Sequence, residues 1–155
     1  MKKILFAILL ILCGISFSGC SKNNDTISTQ DTKEKFVFDE LEITIGNKIT
    51  YEILDKDFDK DKGKDVVKVP INVKNLKEAK HHLSMFYYSV KSPKNNKLSS
   101  KAESFNDSID FADDLSYNES YTKYIYFLYD GNGMYTIQFN NGSEKKDVFI
   151  DISKN

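Results

Sequence analysis

The chain of 155 residues has no tryptophan, no arginine, only two prolines and two histidines, and two cysteines that both fall within its first twenty residues. Each shortage excludes something. With no cysteine beyond Cys20, no disulfide can staple the folded part, which must rest on an apolar core; at this length that is feasible. His81 and His82 are the only histidines, and on a strand adjacent side chains point to opposite faces, so they make a poor metal pair and are expected at the surface. A Ser–His–Asp triad has no other base to use, and no Gly-x-Ser-x-Gly elbow occurs. Twenty-two lysines against 23 acids give a net charge of −1, without the basic stripe that nucleic-acid binding calls for. No nucleic-acid partner and no cofactor are expected.

The only long apolar run opens the chain. Lys2 and Lys3 precede Ile4 to Phe17, broken only by Gly14 and Ser16, and Ser18-Gly19 leads into Cys20. This is the layout of a secretory signal peptide, and the run is shorter than the roughly 20 apolar residues a bilayer span requires. Phe17-Ser18-Gly19-Cys20 resembles the lipobox of bacterial lipoproteins, with Phe17 in place of the usual Leu. The resemblance implies cleavage after residue 19 and a diacylglyceryl group on Cys20, which with more than one chain anchors stably. The expected address is the extracytoplasmic face of the cell membrane. Loss of Lys2 and Lys3 moves the net charge from −1 to −3.

Residues 20–35 then read as a tether: Ser21 to Lys35 has one isolated Ile in a polar, charged background that cannot bury enough surface to fold. Fully extended it reaches about 50 Å. From Phe36 to the end, residues 36–155, the signal is period two, which means strands with one buried face. Leu41, Ile43 and Ile45 alternate with acids and Thr44; Ile49, Tyr51 and Ile53 follow; Val67, Val69, Ile71 and Val73 give the clearest strand. Pro70 within it predicts an edge position or a bulge. Asn75 to Lys80 could form one helical turn, Leu83 to Val90 is apolar on both sides, and 97–115 reads as irregular with one or two short strands. Tyr121–Tyr129 and Met134–Asn140 are expected to pair as a hairpin through Asp130-Gly131-Asn132-Gly133, which supplies positive φ angles.

Seven or eight short strands with almost no helical periodicity argue for an all-β fold, an antiparallel β-sandwich, with a small closed barrel as the alternative. The Cys–Trp–Cys core of antibody domains is absent. The stretch VPINVKNLKEAKHHLSMFYYSVKSP, an acidic middle, and YTKYIYFLYDGNGMYTIQF resembles the telokin-like, immunoglobulin-related domains of unknown function in Gram-positive lipoproteins. In those domains a strand ends in an Asn, here Asn75. The resemblance implies an Ig-like sandwich at a cell surface and brings no catalytic residues.

Three features could carry chemistry. Asp55, Asp57, Asp59, Asp61 and Asp65 alternate as in a calcium loop, yet the sixth and twelfth positions counted from Asp57 are Lys62 and Lys68, where an EF-hand needs Gly and Glu. Four interleaved lysines also neutralise the charge, so a metal-free solvated loop is expected. Glu103, Asp107, Asp110, Asp113, Asp114 and Glu119 could supply a glycosidase pair, but nothing in their spacing selects one, and an acidic surface is expected. In Tyr121–Tyr129 both faces are apolar. One face, with Tyr124 and Tyr126, is either an exposed aromatic platform for a protein or cell-wall ligand, or is covered by a loop. The leading expectation is a lipid-anchored binding module and not an enzyme. A small extracytoplasmic enzyme, a substrate-binding subunit and a purely structural surface antigen are the alternatives.

Overall fold

A computed structural model describes residues 34–57, 59–82, 87–111 and 114–154. The signal segment, Cys20, most of the tether, Leu83–Phe86 and Asp113 lie outside the described residues. Among those described, no helix is long and apolar enough to cross a membrane.

Two antiparallel sheets form an open sandwich, so the closed barrel is excluded. The first sheet holds β1 (Glu34–Phe38), β2 (Leu41–Ile45), β3 (Thr50–Ile53), β4 (Asp65–Asn75) and β7 (Ser120–Leu128). The second holds β5 (Tyr88–Lys91), β6 (Lys97–Leu98), β8 (Gly133–Asn140) and β9 (Lys145–Ile152). Alternation places Ile43, Ile71, Val73 and Phe127 of the first sheet, and Ile137, Phe139, Val148 and Ile152 of the second, in one shared core. Each fully buried aliphatic or Phe side chain there contributes about 1.5–3 kcal/mol.

Glu34 and Lys35, expected at the end of the tether, open β1 instead. The ladder to β2 carries both, opposite Ile45 and Thr44, and exposed pairs of Lys35 with Glu42 at 2.9 Å and Glu34 with Lys146 at 2.8 Å accompany it. β1 turns into β2 through Asp39 and Glu40, both at positive φ (50° and 60°).

β4 is central. One edge pairs with β2 and then β3; the other pairs with β7 over its length. Pro70 is therefore interior, not on an edge strand. It is tolerated because it sits opposite the break between β2 and β3, where no partner asks for its missing N–H. Its carbonyl accepts from the Gly46 N–H at 2.8 Å. Residue 46 must be glycine, since a Cβ there would stand 2.7 Å from Pro70 Cγ.

Asn75 to Lys80 forms bends and not a helical turn. The Asn75 side chain is the cause: Oδ1 accepts from Lys77 N–H at 2.8 Å, while Nδ2 donates to the carbonyls of Ala79 (2.7 Å) and Leu115 (2.9 Å). An Asx turn has replaced the helical bond.

The expected β7–β8 hairpin does not form. β7 pairs with β4 and β8 with β5 and β9, so Asp130–Gly133 carries the chain from one sheet to the other. Tyr135 pins this corner. Its buried hydroxyl accepts from Asp130 N–H and donates to the Gly131 carbonyl, both at 2.8 Å. Burial pushes the Tyr135 phenol up to about 12. The hairpin in this region is β8–β9, turned at Gly142 (φ 91°).

Candidate functional site

The features singled out in the sequence meet on the outer face of the first sheet, along β7. Ile125 and Phe127 point into the main core, while Tyr124, Tyr126 and Leu128 point outward with Leu54 and Val66. That outer face is largely covered. Segment 100–108 runs along the free edge of β7, with Lys101 N–H bonded to the Tyr126 carbonyl (3.0 Å) and Tyr124 N–H to the Asp107 carbonyl (3.1 Å). Phe105 then folds over and stacks on Tyr126, rings 4.1 Å apart and 8° from parallel. Tyr126 is 0% exposed. Of the two alternatives for Tyr124 and Tyr126, an open platform or a face covered by a loop, the covering loop holds at Tyr126, which is not available as a platform. Tyr124 stays half-exposed.

Lys68 of β4 organises what remains. Its ammonium lies 4.2 Å from the Tyr124 ring centre, 3.0 Å from Glu52 Oε1 and 3.0 Å from Asp107 Oδ2. The Tyr126 hydroxyl donates to Asp107 Oδ1 at 2.7 Å. Burial opposes the charge on Lys68, but Tyr126, Glu52 and Asp107 outweigh it and hold its pKa above the ordinary value. For Asp107 burial likewise opposes charge, and bonds from Tyr126 and Lys68 prevail to lower it. Burial raises the Tyr126 phenol. A lysine held charged is no nucleophile at neutral pH, so the role of Lys68 here is to orient the Tyr124 ring and the Glu52 and Asp107 carboxylates.

The acidic loop abuts the same covering segment. Lys101, only 6% exposed, reaches back across 40 residues to place Nζ 2.7 Å from Asp61 Oδ2 and 3.2 Å from both oxygens of Asp59. Lys64 adds a 2.7 Å bond to Asp61 Oδ1. These bonds, Lys101 first and Lys64 second, hold the Asp61 carboxyl at about 2. Asp59 is lowered chiefly by the Asp61 backbone N–H. The two carboxylates that could have gathered a cation gather an ammonium. Among the described residues, no group of three or more His, Cys, Asp or Glu side chains is placed to hold a metal.

His82 is exposed and lies 2.7 Å from Asp114. His81 departs from the surface position expected of it: it is buried, and its backbone pairs with Leu115 in both directions at 2.9 Å. The acidic surface expected of residues 103–119 is also corrected in part. Asp107 and Asp110 are half-buried acceptors, Asp110 Oδ2 taking bonds from Tyr88 (3.0 Å) and Ser100 (2.8 Å). Glu119 closes a turn on Ser116 N–H (2.8 Å), and Glu103 is exposed. Lys68, Lys101 and Phe105 hold the site together, yet nothing in their neighbouring sequence marks them.

No protein-family model matches the chain, and no curated protein matches its sequence. Its fold is similar to solved structures. A candidate lipoprotein of Bacillus subtilis, ycdA, superposes with a TM-score of 0.61 at 17% identity over 77% of this chain. This chain spans 39% of the length of ycdA. A functionally unknown protein of Listeria monocytogenes gives a TM-score of 0.54 at 13% identity, covering 84% of this chain and 87% of that one. The yjhA protein of B. subtilis gives 0.54 at 13% identity, covering 77% and 96%. At these identities the likeness is one of fold.

The outer face of the first sheet carries a recess of about 320 Å³ beside Leu54 and Phe105, and past Tyr124 it is open. Beyond Tyr124 lie Thr44, Asn72 and Thr122 in register across β2, β4 and β7, with Asn72 Nδ2 bonded to Thr122 Oγ1 at 3.1 Å. Such a flat polar strip beside one fixed aromatic ring can recognise a partner by stacking and hydrogen bonding.

Proposed function

We propose that this chain is a non-catalytic, lipid-anchored module of the telokin-like, immunoglobulin-related kind, held through Cys20 at the extracytoplasmic face of the cell membrane. It binds a protein or cell-wall polymer through the outer face of its first sheet. The anchor rests on the Lys2-Lys3 start, the apolar run and Ser18-Gly19-Cys20, and the fold likeness to a candidate lipoprotein supports it. The observation that carries the binding surface is Tyr124. It is the accessible member of the aromatic face, its ring held under the Lys68 ammonium beside the Thr44–Asn72–Thr122 strip.

Cross-linking of tagged full-length protein on intact cells, read by mass spectrometry, tests the surface. Tyr124→Ser is expected to abolish capture of a single enriched neighbour or wall fragment while the melting temperature holds. Tyr126→Ala serves as the folding control and should cost about 3–5 kcal/mol, because it empties the space beneath Phe105. Capture of the same material by wild type and Tyr124→Ser would overturn the surface. An unmodified Cys20 at the mature N-terminus would overturn the anchor.

A further inference from the structure

We infer that the free edge of β9 is a self-pairing surface that joins two copies of this chain through an antiparallel β9–β9 ladder. The sandwich blunts its other edges. β1, β3 and β6 are short, with 5, 4 and 2 residues, and the edge of β7 is capped by segment 100–108. β9 runs for 8 residues, and among the described residues no backbone bond is made to its outward side. Long bare edges are what natural sheets avoid unless another chain pairs with them.

Backbone alternation says which residues such a ladder uses. The β8–β9 turn closes with Asn141 N–H on the Glu144 carbonyl at 3.3 Å. Counting along the register from there, Lys146, Val148, Ile150 and Ile152 direct their backbone groups to β8, and Lys145, Asp147, Phe149 and Asp151 direct theirs outward. A two-fold axis through Val148 then sets Lys145 opposite Asp151 of the second copy, and Asp147 opposite Phe149.

Side-chain chemistry favours that register over the two beside it. Lys145 and Asp151 are exposed and have no ionic partner among the described residues, whereas Lys146 on the same strand pairs with Glu34. The axis through Val148 pairs them twice. Moving it to Asp147 sets that aspartate against its own copy, and moving it to Phe149 sets Asp147 against Asp151; like charges directly opposite destabilise a ladder. Phe149 is 60% exposed and Met134, beside it on the same face, is 52% exposed. In the chosen register the two Phe149 rings are diagonal neighbours across the axis, within the reach of aromatic side chains. The inward charge on this edge, Lys146, is already neutralised by Glu34 and lies 5.3 Å from the centre of the Phe36 ring, so pairing buries no free ammonium.

Sedimentation equilibrium of the full chain in density-matched detergent tests the inference by charge exchange. Wild type should sediment as a dimer. Lys145→Asp and Asp151→Lys, each turning two attractive pairs into repulsive ones, should each weaken the dimer by roughly tenfold or more. The double exchange Lys145→Asp/Asp151→Lys should restore it, and all three variants should keep the wild-type circular dichroism spectrum, which shows that each is folded. A monomeric wild type overturns the inference. So does a dimer that ignores the single exchanges, or one that the double exchange fails to rescue. Tyr124 lies on the other sheet, so loss of its ligand and loss of this dimer are read separately.

Discussion

The ammonium of Lys101 sits between Asp59 and Asp61, and its hold on Asp61 makes stability depend on acid. Asp61 is lowered from 3.8 to about 2 by Lys101 and then Lys64, so the folded chain favours its carboxylate. That stability is present above the ordinary carboxylate range and is lost as the pH falls from about 4 toward about 2. Asp130, held down to about 2 by Lys94, then Ser92 and Asn96, adds to the same window. The melting temperature followed by circular dichroism should fall steeply across that window in the wild type and less steeply in Asp61→Asn. The loop's poor match to a calcium site was legible in Lys62 and Lys68. Its actual cation was not, because Lys101 lies 40 residues away and only the path of the covering segment brings it back. Tyr126 shows the same limit. Period two identified its face correctly, but the residue that buries it, Phe105, sits in a stretch without periodicity.

At the scale of the element, turns decided where the reading of the sequence held. The β1–β2 turn places Glu40 at φ 60°, a conformation that L-residues with a Cβ adopt at a cost of about 1–2 kcal/mol. Glu40→Gly should relieve it. Loss of the exposed Lys77 pair (2.8 Å) and the entropy of glycine offset part of the gain, leaving a stabilisation of about 1 kcal/mol, measurable as a raised urea midpoint. A fall in the midpoint would mean that the pair outweighs the strain. Asp39-Glu40 lacks the Asn-Gly signature of tight hairpins, which is why Phe36–Phe38 is not legible as a strand separate from Leu41–Ile45. Asp130–Gly133 has the glycines, and there the reading erred in the other direction. Positive φ marks a reversal of the chain without saying which strands pair. β7 was free to leave for the first sheet because it is apolar on both faces. Where alternation is strict and one face is buried, as at Val67, Val69, Ile71 and Val73, both the strand and its inward face were legible.

For the whole molecule, the two sheets are held without any covalent bridge. Beyond the shared core, the chain end ties them. Lys154, which follows β9, donates its backbone N–H to Asn132 Oδ1 at 2.7 Å and pairs with Asp65 at the start of β4 at 2.7 Å, its ammonium 5.1 Å from the centre of the Tyr51 ring. Lys154→Met should cost about 0.5–1 kcal/mol at low salt. The gap in melting temperature between variant and wild type should narrow in 1 M salt, where the Debye length shrinks to about 3 Å. The same architecture sets an order of assembly. β4 acquires β2 and β3 from chain nearby, but its other edge waits for β7, which begins at Ser120. A chain emerging from its N-terminal end therefore carries a half-built sheet with an 11-residue strand bare along one side until its final quarter arrives. That interval is when this protein is most exposed to mispairing and most dependent on whatever escorts it.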